Sequence, residues 1–449
     1  MAFAEPVVPI AANQLLLFLL QVGLLLAVAL LLGRIAGRFG MPAVVGELCT
    51  GMLFGPSLLD HVAPGFAGWL LPKEPGQFHL LDAVGMFGLL LLVGVTGAEV
   101  DLKLIRRRGA TVMRVSGAGF LVPLGLGIAT GYLLPATMLP DGGDRTVFAL
   151  FLGVAMCVSA LPVIAKTLLD MNLLHRNIGQ LILSAGTVDD VFGWLMLSVV
   201  AAMATTGVRV GQVGLSLLYL LAVIVLAWLV GRPVVRAVLR ITARSKESGP
   251  PLAAAVVIVI LGAAVTHAAG LEPILGAFIA GILIGTARTA DLARLAPLRT
   301  VVLAVLAPLF FAIAGLRMDL TALRDPVVLL AAVVVLLIAI LGKFAGAYLG
   351  ARASRLSRWE ALALGSGMNA RGVIEVIVAM VGLRLGVLTT ATYTIVVLMA
   401  IVTSLMAPPI LRLAMRRVDD TAEEQLRSGA RLATASDSAP KHSGEMKVI

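Results

Sequence analysis

Thirteen apolar segments, each close to the length that crosses a bilayer, follow one another along a chain of 449 residues. They run roughly over 14–33, 43–59, 79–98, 110–134, 146–168, 177–204, 212–231, 250–268, 273–287, 300–316, 326–350, 359–383 and 389–411. A helix of about 20 apolar residues spans the hydrocarbon layer, so the expectation is an all-α polytopic membrane protein with about 13 transmembrane helices. Segments 43–59 and 273–287 are short and punctuated by Gly and Pro, so twelve or fourteen spans also fit.

Composition excludes the competing classes. Charged residues make up 13% of the chain and hydrophobic ones 59%, with a mean hydropathy of +1.02. A soluble domain carries about 25% charged residues to face water, which argues against a soluble enzyme or a nucleic-acid-binding module. The formal charge of +10 does not restore a nucleic-acid partner, because the basic residues sit in short clusters between apolar runs. The first 13 residues hold no Lys or Arg, so a secretory signal is not expected and 15–32 reads as a retained first span. Cys49 and Cys157 fall inside apolar segments and read as small buried hydrophobes rather than a disulfide or metal pair.

Placing the N-terminus outside puts 26 Lys and Arg in the inside loops and tail against 6 in the outside loops. The positive-inside rule therefore predicts N-out, C-in and an odd number of spans. Residues 1–416 form the expected transmembrane domain, and 417–449, polar and without an apolar run, the expected disordered cytoplasmic tail. No nucleotide-binding or sensor domain is expected in the polar stretch 417–449.

Three basic residues remain within spans (Arg114, Lys343 and Arg371), as do four acids (Glu47, Asp189, Asp190 and Glu375). Charge at membrane depth is expensive, which makes each a functional candidate whose partner should be named. Arg114 lies near a span end and snorkels. Asp189 and Asp190 are consecutive, half-way along the sixth span, and point about 100° apart on a helix, so one lines a cavity while the other flanks it. Two close, desolvated carboxylates can hold a proton near neutrality and exchange it for a hard monovalent cation. Catalysis is not expected. Intramembrane aspartyl chemistry needs two carboxylates converging on one water, and neither an HExxH nor a GxSxG motif is present.

Two spans carry helix breakers at mid-depth. The fifth has VSALPVIAK, with Ser159 and Pro162; the twelfth has ALGSGMNARGVIEV, with Gly365, Gly367 and Asn369. Broken helices are tolerated there where they line a cavity or are buried in protein, and breaks at matching places in two halves point to inverted repeats that cross at a substrate site. An offset of seven spans gives the two units opposite orientation. Lys343, on the eleventh span, needs an acidic partner, with Asp189 or Asp190 the candidates and snorkelling the alternative. Arg371 and Glu375 are spaced i,i+4, so a local ion pair supporting a half-helix is expected, ahead of direct cation binding by Glu375.

Five ordered segments resemble the monovalent cation/proton antiporter superfamily, in its bacterial sodium/proton and potassium/proton exchanger branch. They are VVGELCTGMLFGPSLL with Glu47, GLLLLVGVTGAEVDLKLIRRRG, CVSALPVIAKTLLDMNLL with SAGTVDDVFGW, PLFFAIAGLRMDL, and GMNARGVIEVIV. The resemblance implies a homodimer with a dimerisation domain and a mobile core domain that contains two crossed discontinuous helices. It implies Asp190 as the carboxylate that alternately binds cation and proton, Asp189 as the preceding acid found in electrogenic members, and Lys343 as the lysine paired with that acid. Ser159 stands where many relatives have Thr and is implied as a hydroxyl ligand. Glu47, Pro162, Asn369, Arg371 and Glu375 are supporting residues.

The expected function is a secondary transporter exchanging protons for Na⁺, with K⁺ as the alternative cation, in a bacterial-type plasma membrane and without a cofactor. The only metal expected at Asp189 and Asp190 is the transported monovalent cation. An ion channel or sensor on the same scaffold is the competing class; a channel needs several weak sites in a row, whereas one charged cluster between two breaks suits alternating access.

Overall fold

A computed structural model describes residues 10–71, 75–100, 109–171, 173–206, 210–245, 247, 249–287, 292–419, 421 and 424. The tail beyond 424 and the basic residues Lys73, Lys103, Arg106, Arg107, Arg108, Arg209, Lys246 and Arg288 lie outside the described residues. The principal helices are α1 (Ala12–Arg38), α2 (Ala43–Phe54), α3 (Pro75–Ala98), α4 (Gly109–Leu133), α5 (Arg145–Cys157), α6 (Leu161–Asp170) and α7 (Asn177–Thr206). Next comes α8, which runs from Val210–Leu226 through a π-helical turn, Ala227–Gly231, into Arg232–Thr242. Then follow α9 (Gly249–Ala268), α10 (Pro273–Thr286), α11 (Ala296–Gly315), α12 (Pro326–Ala353), α13 (Arg358–Met368), α14 (Val373–Arg384) and α15 (Thr390–Met415).

Each of the thirteen expected segments has a helical counterpart. Among the described residues nine helices are long and apolar enough to cross a membrane unaided, and α13 with α14, bent by 42° at their break, are so when taken together. α2, α5 and α10 are shorter apolar helices. Large apolar side chains such as Leu19, Leu229, Leu330 and Leu341 point outward, as a lipid-facing surface requires.

The helices sort into two groups. α1, α2, α3, α9, α10 and α11 pack on one another and form a frame; α4–α7 and α12–α15 form a core group; α8 leaves the core beside α7 and ends against α9 and α10. Each group is built twice. In the frame α2 packs between α1 and α11, while α10 packs between α9 and α3. The same glycine spacing serves both: Gly46, Gly51 and Gly55 in GELCTGMLFG, and Gly276, Gly281 and Gly285 in GAFIAGILIG. A Cβ on Gly51 would stand 2.1 Å from the Ala312 carbonyl oxygen, and one on Gly281 2.1 Å from that of Gly94. Close backbone approach of this kind drives helix packing where lipid offers no hydrophobic contrast. That repeated spacing is a sequence signal of the duplication which the broken-helix argument left unused. In the core, α4, α5–α6 and α7 correspond to α12, α13–α14 and α15, with α4 and α12 packed along much of their length.

The breaks differ in detail from expectation. The first spans 158–160, so Pro162 belongs to the opening turn of α6, where its missing N–H costs nothing; its side chain lies outside the described residues. The second spans 369–372, and Gly365 and Gly367 lie inside α13. Gly372, at φ 156°, makes that turn. A Cβ there would also meet Val163 Cγ2 at 2.9 Å.

Candidate functional site

The two breaks meet in the interior of the core group. Ala160 N donates to Ala370 O at 3.3 Å, and Ser159 Oγ lies 3.0 Å from Met368 O. Where a helix stops, its last carbonyls lose their intrahelical donors and carry the negative end of the helix dipole. At the end of α5 two buried cations supply the replacement. Lys343 Nζ, from α12, donates to Cys157 O at 2.5 Å. The Arg371 guanidinium, from the second break, reaches Met156 O at 2.7 Å and Ala155 O at 3.4 Å, and also Ala339 O at 2.9 Å. The opposite break is tied by Ser404 Oγ, which donates to Arg371 O.

The acids differ sharply in their surroundings. Asp189 and Asp190 are both fully buried on α7. Asp189 pairs with Lys343, Nζ to Oδ2 at 2.5 Å, while Ser116 Oγ from α4 donates to Oδ1 and Ser159 Oγ lies 3.2 Å from Oδ2. Asp190 points elsewhere: no side chain bonds either of its oxygens, and the group facing it is the backbone N–H of Leu161 at the start of α6. The adjacent positions, about 100° apart, thus separate into a satisfied acid and an unsatisfied one. Asn369, at the start of the second break, is equally buried, with no partner for Oδ1 or Nδ2. Glu375 caps α14, Oε2 accepting from Gly372 N at 2.7 Å, and its Oε1 has no partner. Buried polar atoms without partners are costly and rare. In that condition, beside the crossing, the carboxylate can take a proton, and the carboxylate and the amide both offer oxygen to a hard monovalent cation.

Residues 24–417 match the family described as the transmembrane sodium/hydrogen exchanger. The chain belongs to that family. It is 32% identical over 402 residues to the Na(+)/H(+) antiporter NhaS4 of Synechocystis, a match covering 89% of this chain and 97% of the relative. It is 28% identical to the K(+)/H(+) antiporter 1 of Saccharomyces cerevisiae over 90% of its own length, and spans about half of that protein, 47%. Among solved structures it superposes on the sodium proton antiporter MjNhaP1 of Methanocaldococcus jannaschii with a TM-score of 0.68 at 18% identity, covering 90% of this chain and 99% of that one. This exchanger-family chain is accordingly an all-helical, multi-pass membrane protein.

In this family member the crossing brings together Ser159, Asp189, Lys343 and Arg371, with Asn369 and Glu375 in the second break and the turn after it. It does not bring Glu47, which lies on α2 in the frame with its carboxyl against Gly33 of α1. The expected ion pair between Arg371 and Glu375 does not form. The i,i+4 spacing presumes one continuous helix, whereas Arg371 stands in the break and Glu375 in the first turn of α14, each serving a different helix end. Cys49 and Cys157 are both free thiols. Sequence reasoning missed Ser116 and Ser404. Lone serines in apolar spans normally bond their own helix, so nothing local marked them.

Proposed function

We propose that the protein is a secondary active transporter exchanging protons for a monovalent cation by alternating access, with Asp190 as the group that binds either. The observation carrying this reading is the contrast at the crossing: Asp190 has no side-chain partner, whereas the adjacent Asp189 is held by Lys343 and two serine hydroxyls. Ser159 and Asn369 offer the additional oxygens a cation requires. Na⁺ is the favoured cation, in line with the Synechocystis relative matched over nearly its full length; K⁺, named for the yeast relative, is the alternative.

Exchange is electrogenic in this reading. A cation entering beside Asp190 competes for Asp189, the counter-charge of Lys343. An ammonium deprived of its counter-charge in an apolar interior is favoured to release its proton. Two protons then move against each cation, leaving one net charge per cycle. That charge couples to the membrane potential by about 2.3 kcal/mol per 100 mV.

The frame serves as a dimerisation unit of a homodimer in a plasma membrane, with the N-terminus outside, and the core group moves against it. Ties between the two groups support this division. Arg384 Nη2 on α14 pairs with Glu272 of the frame at 2.7 Å, and Tyr393 Oη on α15 donates to Ala314 O on α11 at 2.7 Å. Both lie at the face where α5 begins, outward by the charge count, and both must part when the core moves.

The test is cation-driven proton movement in proteoliposomes, with charge recorded on a solid-supported membrane. Na⁺-dependent proton flux with net charge is expected from the wild type, and none from purified, folded Asp190→Asn. Uncoupled current identifies a channel. Exchange without charge movement refutes the two-proton count, and wild-type flux in Asp190→Asn refutes the site.

A further inference from the structure

On α7 a second set of unpartnered polar atoms continues from Asp190. Trp194 and Ser198 follow at i+4 and i+8, about 6 and 12 Å along the axis, and successive members turn by only about 40°, so the three share one face. Trp194 is 2% exposed and Ser198 0%, and neither Trp194 Nε1 nor Ser198 Oγ has a hydrogen-bond partner. The opposite half of the same helix behaves differently. Ser184 Oγ returns to Gln180 O at 2.7 Å and Thr187 Oγ1 to Leu183 O at 2.8 Å, the usual way a helix satisfies a buried hydroxyl. Ser198 departs from that habit, and a buried indole usually finds an acceptor for its N–H.

Trp194, in the middle of this stripe, reaches across the seam between the two helix groups. The Trp194 ring meets Phe278 of α10, in the frame, with centroids 6.0 Å apart and planes inclined at 44°. From Asp190 the stripe climbs toward the end of α7 at Thr206, the same side of the bundle as the start of α5.

We propose that Trp194 and Ser198 line the passage along which the exchanged cation travels between Asp190 and the outer face, and that the Trp194–Phe278 contact closes it. The inference rests on the exchanger reading above. The indole N–H and the serine hydroxyl provide the polar contacts that hydrated traffic needs beside the apolar ring of Phe278. Sliding the core past the frame separates the two rings and opens the stripe to the outside. A structural role alone would give these side chains fixed partners, as Ser184 and Thr187 have.

The experiment uses Ser198→Cys in the full chain, in right-side-out and inside-out vesicles whose exchange is measured first. A small, membrane-impermeant, trimethylammonium-bearing methanethiosulfonate is then added, and modification is read by mass spectrometry of the peptide carrying residue 198, so Cys49 and Cys157 can remain. Modification at least tenfold faster from the outer face, with loss of exchange, is expected. Vesicles that exchange normally while residue 198 stays unmodified, or is modified faster from the inner face, overturn the passage but leave the exchanger reading standing. Absence of exchange in wild-type vesicles is a failure of that reading instead. Two milder variants separate lining from packing. Ser198→Ala and Trp194→Phe should each raise the apparent KM for cation at the outer face by about fivefold, the equivalent of one lost hydrogen bond of about 1 kcal/mol, with the inner KM unchanged. Equal shifts at both faces, or none, refute the assignment.

Discussion

Replacing Lys343 by Met keeps a long apolar stem and deletes the ammonium, which in the structure holds Asp189 Oδ2 and Cys157 O, each at 2.5 Å. Both members of the pair are fully inaccessible, so no water takes the place of the missing partner. Removing one side of such a pair costs about 3–5 kcal/mol. For Lys343→Met the lower end applies, because Asp189 keeps the Ser116 and Ser159 hydroxyls. Asp189→Asn leaves the ammonium with neutral acceptors and no counter-charge, and belongs nearer the upper end. Making both changes together removes the uncompensated charge in either sense. The double variant should therefore lose less than the sum of the singles by about 2–3 kcal/mol, within the range for residues in direct contact. The cycle is measurable as unfolding free energies in mixed micelles, followed by the fluorescence of the four tryptophans. Additivity to within about 0.5 kcal/mol would mean the two side chains are not energetically coupled, which refutes the pairing of Lys343 with Asp189 as a stabilising contact.

Competition at Asp190 predicts that raising the proton concentration raises the apparent KM for cation with little change in maximal rate; purely non-competitive inhibition would place the proton elsewhere. Gly372→Ala forces a side chain onto a backbone at φ 156° and a Cβ to within 2.9 Å of Val163, so a stability loss of about 1–3 kcal/mol is expected by the same unfolding assay. Outside the membrane, Glu424 accepts from the Thr421 and Asn177 backbone N–H groups and pairs with Arg176, joining the chain after α15 to the start of α7. Burial pushes this carboxyl up, but those hydrogen bonds and Arg176 outweigh it and hold the group below 4.5. The contact is thus at full strength above pH 4.5 and weakens as the pH falls through the lowered value. Hydrogen-exchange protection over 176–180, taken relative to the intrinsic base-catalysed rate at each pH, should fall only in that acid range, and a loss of protection between pH 6 and 8 would contradict it.

Which properties were legible in the chain follows from which are one-dimensional. The apolar segments, their lengths, the distribution of basic loops and the handful of charges at membrane depth depend only on consecutive residues, because the bilayer imposes the same condition on every span. The duplication was legible too, in GELCTGMLFG and GAFIAGILIG, since close helix contact demands glycine at fixed spacing. Partnership across the core was not. Both Asp189 and Asp190 were open to Lys343, and only the rotation of α7 against α12 decided that Asp189 takes it and Asp190 is left without a side-chain partner. Arg371 and Glu375 looked like one pair until the break at 369–372 sent the guanidinium to the carbonyls of α5 and the carboxylate to the first turn of α14. A helix's own sequence records which side chains it carries. Where each one lands is set by how far the neighbouring helices let that helix turn and slide, and those neighbours lie tens to hundreds of residues away along the chain.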